Sequence, residues 1–466
     1  MEVISKKVTS NVLISIFAQI ISIGTSFILN LIVPKYIPAI EYSMWQVYIL
    51  YASFVGICHL GLMDGFLLKY SQYDYEHLDK AIAHSHFLTL IFILSFNSIL
   101  LFVIGTITNI LSESLIILVS VAVIVKNLCT FGLYIFQSTN RIGKYAKLVI
   151  CQRIVYAIIV SILILNHEYN YILYCVADLI ADIFGFFFSA IYNKKIYFGK
   201  IKLPPCHGDI VKNSFCAGVI LMIANFSSNF IVGACKMVIE WTESKLVFGQ
   251  IAFAFSVTNL ALTFVIAISV VLFPSLKRIN QSQLVEIYKS MRIIISEIMY
   301  FILLLYYPCT YILQKWLPIY AESFKYLVFL FPIILFSTKI VLLTNNYLKV
   351  FRMEKKLLVI NVAAVLSEVF GLALFYSFKQ IWLLLIWTVI VTYIKSVASE
   401  WFVSQKIQID SFLLNLEDGL FGIVFIITTL LFPQHIAIII LILAFGIVSI
   451  ANHNRIKHSI KFITKI

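Results

Sequence analysis

Long apolar runs alternate with short polar stretches from one end of the chain to the other. Fourteen runs can be separated, at 9–33, 42–66, 84–106, 114–136, 148–166, 171–192, 212–236, 246–273, 292–313, 324–346, 357–378, 381–403, 417–432 and 436–451. A helix needs about twenty apolar residues to cross the hydrocarbon core of a bilayer, so the pattern predicts a chain of membrane-spanning helices. The first run follows Lys6 and Lys7, is much longer than the apolar core of a signal peptide and lacks a small-residue cleavage site. It is therefore expected to stay in place as the first span.

Composition excludes the soluble alternative. Hydrophobic residues make up 61% of the 466, charged residues only 12%, and the mean hydropathy is +0.98. Soluble chains carry about 25% charged residues, and a water-soluble fold leaves too much of its surface wet to hide this apolar area. The expected fold class is all-α: a polytopic membrane protein of about 14 transmembrane helices.

Charge orients the spans. Of 35 Lys and Arg, 25 fall in alternate connections counted from an inner N-terminus, six in the opposite set and four within spans. Positive residues stay on the cytoplasmic side, so both termini are expected there. The net charge of +13 does not point to nucleic acid, because the basic residues form short clusters between apolar runs. The eight cysteines form no CxxC pair and mostly lie inside apolar runs, which favours small buried hydrophobes over a metal site or a disulfide framework.

Every connection is short, with no room for a nucleotide-binding domain or a large outer domain. The longest, near 193–211, divides the first twelve spans into two sets of six. The expected organisation is an N-terminal lobe at 1–203, a second lobe at 204–403 and a C-terminal helical pair at 404–466, with the two lobes around a central cavity. An echo at an offset of 202 pairs Asn11 with Asn213, Ser26 with Ser228 and Glu41 with Glu243, in keeping with the internal repeats common in transporters.

Asn11, Ser15, Gln19, Ser22, Ser26 and Asn30 recur at steps of three or four and share one face of the first span. Such a stripe lines a wet cavity or packs helix on helix. Ser214, Asn225 and Asn229 form a shorter counterpart in the seventh span.

Ionisable groups in spans cost roughly 2.5–3.5 kcal/mol each at a helix centre, so they mark partners or water-filled cavities. The cations are Lys126, Arg153, Lys339 and Lys395; the anions are Asp178, Asp182, Glu297, Glu368 and Glu400. Arg153, Glu297 and Glu400 sit near cytoplasmic ends, where they can snorkel. Gly185 and Ser189 continue the face of Asp178 and Asp182, and Thr388, Thr392 and Ser399 flank Lys395. Lys126, Arg153, Lys339 and Lys395 are candidate ligands for an anionic cargo, since phosphate attracts Lys and Arg. Asp178, Asp182 and Glu368 are candidates for gating or for coupling to a proton or sodium gradient, because two close carboxylates cannot easily both stay ionised. Internal ion pairing is the competing explanation. No metal site or catalytic group stands out.

Three segments carry a resemblance: VPKYIPAIEYSMWQ (33–46), HLGLMDGFLLKYSQYD (59–74) and LFPSLKR (272–278). With the topology, they resemble the polysaccharide (O-antigen) flippases of the multidrug/oligosaccharidyl-lipid/polysaccharide exporter superfamily. The resemblance implies two six-helix lobes and a non-enzymatic flippase of the bacterial cytoplasmic (inner) membrane. Its cargo would be an undecaprenyl-pyrophosphate-linked oligosaccharide, moved by alternating access for surface polysaccharide synthesis alongside other assembly proteins, with no cofactor. The alternatives are a multidrug or cation exporter of the same superfamily, whose cavity would favour anionic residues, and a membrane-embedded polymerase, which would need a larger outer loop.

Overall fold

The computed structural model describes residue 14 and residues 17–71, 73–199, 207–276 and 281–463. Asn11, Ser15 and the side chains of Asn213, Ser214, Asn225 and Ser228 lie outside the described residues, as do 200–206 of the longest connection, Lys277 and Arg278 of LFPSLKR, and the side chains of its Phe273, Pro274 and Ser275. The described chain is helical, with no strand.

Helix α1 spans Phe17–Tyr36 and contains a π turn at Ile28–Ile32. Helix α2 is broken into Ala39–Ala52 and Leu62–Tyr70. Then come α3 (Lys80–Thr108), α4 (Glu113–Ser138), α5 (Ile142–Leu165) and α6 (Tyr171–Tyr192). The second half has α7 (His207–Thr242), α8 (Lys245–Leu276), the bent α9 (Gln281–Leu304 and Tyr306–Trp316) and α10 (Ser323–Val350), the last with a π turn at Lys339–Thr344. It ends with α11 (Glu354–Tyr376), α12 (Ile381–Ile407), α13 (Phe412–Leu431), α14 (Gln434–Ala451) and the short α15 (His453–Ile463).

Eleven of these helices are long and apolar enough to cross a membrane, and the two bent helices raise the number to 13. Helix α7 occupies the place of the seventh apolar run. Several helices outrun the apolar pattern at one end. Helix α9 begins eleven residues before the run at 292, because a helix satisfies its own backbone and polar residues can extend it past the hydrocarbon. Two readings change as a result. Arg292, the first residue of its run and counted with the charges of the connection before it, lies well inside α9, and Lys236, the last residue of its run and counted with the connection after it, is buried within α7 with its ammonium 5.2 Å from the Phe255 ring centre.

The chain separates into two compact units, Met1–Phe226 and Ser227–Ile466. In the first, α2 shows how a broken helix survives in an apolar setting. Its halves meet at 59°, through a 3-10 turn at Val55–His59 and left-handed Leu60 and Gly61. The break frees backbone carbonyls, which cannot be left unpaired in hydrocarbon. Asn127 of α4 donates to the carbonyl of Val55 at 2.9 Å, and Asn97 of α3 donates to that of Cys58 at 2.8 Å. His59 Nδ1 accepts from the Gly61 amide at 3.0 Å. Gly61 has φ +84°, and a Cβ there would stand 2.4 Å from the Val219 nitrogen of α7. Conversely, a Cβ on Gly218 would stand 1.9 Å from the Gly61 carbonyl oxygen and 2.4 Å from the Gly65 nitrogen. The glycines of HLGLMDG thus let α2 and α7 approach backbone to backbone, as small residues four apart do in membranes. Glu41, in the preceding segment, accepts from the Tyr171 amide at 2.8 Å and caps the N-terminus of α6.

Candidate functional site

Charge is concentrated in one cluster within each unit. In the first unit, the face of α6 bearing Asp178, Asp182, Gly185 and Ser189 packs on α4. A Cβ on Gly185 would meet the Cys129 sulfur at 2.5 Å, and one on Gly132 would meet the Ser189 hydroxyl at 2.5 Å. This close approach brings the Lys126 ammonium between the two carboxylates, 2.5 Å from Asp178 and 2.9 Å from Asp182. The Tyr48 hydroxyl of α2 donates to Asp178 at 3.0 Å, and the Gln152 amide of α5 donates to Asp182. Arg153, next on α5, lies within electrostatic reach of Asp182, and its buried Nε has no hydrogen-bond acceptor among the described residues.

Two cations and two anions therefore balance, and the ammonium offsets the repulsion between carboxylates one turn apart. The cluster is not sealed. The side chains of Lys126 and Asp178 are 23% and 20% exposed, while Asp182 retains only 4%.

In the second unit, the cluster is closed. Arg292 of α9 donates to Glu400 of α12 at 2.6 Å and to Asp418 of α13 at 2.7 Å. Lys339, at the π turn of α10, lies 3.1 Å from Glu400 and 2.9 Å from Asp418, and donates to Asn415 at 2.6 Å. Tyr300 and Ser296 donate to Asp418 at 2.6 and 3.0 Å, and Tyr288 donates to Glu400 at 3.3 Å. None of the four charged side chains is more than 2% exposed. Glu400 therefore does not snorkel: it is held inside by two cations.

The remaining expected residues are dispersed. Glu368 of α11 is fully buried; Thr388 donates to one carboxylate oxygen at 2.7 Å, and the other has no hydrogen-bond partner among the described residues. Lys395 is buried on α12 at 4% exposure. Glu297 accepts from Ser449 at 2.7 Å. On α1, Gln19, Ser22, Ser26 and Asn30 are all half-buried; Ser22 and Asn30 donate to carbonyls of their own helix, at 2.9 and 2.8 Å. Asn229 is exposed.

The sequence reading missed Arg292 and Asp418, and also His59 and Asp64, which are buried with 3.6 Å between His59 Nε2 and Asp64 Oδ2. One signal was available. Tyr288, Arg292, Ser296 and Tyr300 recur at steps of four and form a single polar face on α9.

No protein-family model matches this chain, and no curated protein matches it. Solved structures do. The structure titled lipid II flippase MurJ, inward closed conformation, aligns at TM-score 0.62 and 16% identity, covering 98% of this chain and all of that one. An inward-facing multidrug resistance MATE family transporter of the MOP superfamily aligns at 0.59 and 14% identity, covering 82% and 94%. A Vibrio cholerae MATE transporter, VcmN, in a mutant form, aligns at 0.55 and 14%, covering 87% and 97%. The chain has the fold these proteins share. At such identities the likeness establishes architecture alone.

Proposed function

We propose that this protein is a non-enzymatic flippase that moves an undecaprenyl-pyrophosphate-linked oligosaccharide across the bacterial cytoplasmic membrane by alternating access. Both termini face the cytoplasm, and two six-helix lobes with a C-terminal pair form the working unit. One observation carries this reading: a partly exposed Lys126–Asp178–Asp182 cluster, with Arg153 beside it, lies inside spans that have the fold of known transporters. An exposed cation inside a membrane is matched to anionic cargo, and pyrophosphate supplies charge that an ammonium and a guanidinium can share. The lipid-flippase match over nearly the whole chain, C-terminal helices included, supports a lipid-borne cargo over a soluble drug.

In this reading, Lys126 exchanges partners. With both carboxylates ionised, it is held between Asp178 and Asp182. A proton or sodium ion taken up by the pair weakens that hold, and the ammonium turns to the pyrophosphate alongside Arg153. Ion binding and cargo binding then favour the same state of the cavity. Lys339 and Lys395, more deeply buried, support the second lobe.

The decisive measurement is flipping of the lipid-linked oligosaccharide in vesicles containing the purified protein. Lys126→Arg is expected to keep more flipping than Lys126→Ala at equal protein content. The Asp178→Asn, Asp182→Asn double variant is expected to lose its response to an imposed ion gradient. Wild-type flipping by Lys126→Ala would sink the cargo assignment, and an unchanged gradient response would sink the coupling.

A further inference from the structure

A concentration of positive charge lies apart from both clusters, where α4 ends, α5 begins and α6 ends. Arg141, Lys144 and Lys147 follow one another at steps of three into the first turns of α5, and Lys144 lies within electrostatic reach of the other two. Lys194 and Lys195 follow the end of α6. The two segments are joined. Arg141 donates to Asn193 at 2.6 Å, and the Lys144 ammonium lies 4.4 Å from the ring centre of Tyr192.

No acid answers these charges. The chain has no Asp or Glu between Glu113 and Glu168, and none between Asp182 and Asp209. Asp74, Glu76 and Asp79 lie on the connection before α3, whose Tyr75 ring centre is 3.7 Å from the Arg141 guanidinium. None of the three is within electrostatic reach of Arg141 or Lys144, and Asp79 is engaged by the amides of Ala81 and Ile82. Among the described residues, the ammonium groups of Lys144, Lys147, Lys194 and Lys195 make no ion pair or hydrogen bond. Like charges one turn apart on a helix repel, and near its N-terminal end they also oppose the macrodipole, so the arrangement costs stability until an anion sits on it.

Two features select a phospholipid. Lys144 and Lys147 precede the apolar run at 148, and Lys194 follows the run that ends at 192, which sets the ammonium groups where hydrocarbon gives way to headgroups. Phe184, Phe187 and Ile191 of α6 recur at steps of three and four, and each is more than half exposed. They form an open apolar stripe that leads along the helix to Tyr192 and the lysines.

We propose that Lys144, Lys147, Lys194 and Lys195 form a docking surface for the headgroup of an anionic phospholipid, with its acyl chains along the exposed stripe of α6. Arg141, held by Thr139, Asn193 and the Tyr75 and Phe136 rings, fixes the two segments together. The surface is separate from the Lys126 cluster and makes no use of the cargo, so either reading can fail alone.

The test follows thermal unfolding of the full-length protein in an uncharged detergent, alone and with phosphatidylglycerol or phosphatidylcholine added. The affinity for each lipid is measured by native mass spectrometry. Wild type is expected to bind phosphatidylglycerol preferentially and to gain stability from it. Lys144→Gln with Lys147→Gln, and separately Lys194→Gln with Lys195→Gln, should each weaken phosphatidylglycerol binding by about 25-fold, at about fivefold for each basic group at an anionic surface. Without lipid, the first pair should unfold no lower than wild type, because the repulsion from Arg141 is relieved. Lost lipid binding with undiminished stability is a combination that misfolding cannot produce. Lys355→Gln with Lys356→Gln makes the same change of charge in the second unit and should leave lipid binding intact. Equal affinity of wild type for both lipids, or an equal loss in the Lys355 and Lys356 variant, overturns the site. Unchanged phosphatidylglycerol binding in both test pairs does the same. Displacement of the lipid by millimolar inorganic phosphate overturns the lipid assignment in favour of a free anion.

Discussion

The two charge clusters use similar groups to different ends. In the first unit, one ammonium spans two carboxylates from a single helix, and a fifth to a quarter of Lys126 and Asp178 is open. In the second, two cations and two carboxylates from four helices close on one another at 2.6–3.1 Å with almost no exposure. The closed quartet is paired within itself and ties α13 to α9, α10 and α12. An open cluster can change partners. Burial, rather than the number of charges, distinguishes the two clusters.

The largest test of this contrast is Arg292→Met. It leaves Glu400 and Asp418 sharing Lys339 alone, and removing one member of a buried pair costs about 3–5 kcal/mol. Thermal unfolding in detergent should show a large fall in midpoint, and adding Asp418→Asn should recover part of it. An unchanged midpoint would show that the quartet does not hold the second unit together.

Lys126→Met is expected to destabilise less, by about 1–3 kcal/mol, because water reaches the cluster and screens the two carboxylates left behind. Asp182→Asn in the same chain should restore most of the loss. A larger fall than that of Arg292→Met would reverse the assignment of site and fastening.

The finest comparison uses hydroxyls. Tyr300→Phe leaves the fully buried Asp418 short of a 2.6 Å donor, and Tyr48→Phe leaves the partly exposed Asp178 short of a 3.0 Å donor. A buried acceptor left unpaired costs about 1–3 kcal/mol, whereas water can replace a donor at the open cluster. Tyr300→Phe should therefore lower the unfolding midpoint measurably and Tyr48→Phe barely. Equal shifts would mean that both clusters are equally dry.

Much of this was legible in residue order. The run at 171–192 coincides with α6, and Asp178 and Asp182 one turn apart marked the first cluster, with internal ion pairing as one explanation and its cation left open; the structure puts Lys126 between them. Asp418 was not legible in the same way. It is the second residue of the run at 417–432, where polar residues precede it, and its helix begins earlier, at Phe412. Arg292, the first residue of the run at 292–313 and counted among the charges of the connection before it, was passed over for the same reason: hydropathy reports where the hydrocarbon begins and says little about where a helix does.

The amino-acid sequence by itself determined where the long apolar runs fall and which side chains share a face of one helix. These depend on transfer of each residue to lipid and on the helical repeat, both local properties. Tertiary structure alone decided which charges meet. Arg292, Lys339, Glu400 and Asp418 come from four helices, and their contacts depend on how each helix is rotated and how closely it packs. Gly61 likewise discloses its role only when Gly218 of α7 is set against it. Packing of neighbouring helices sets those rotations, and no spacing within a single span encodes them.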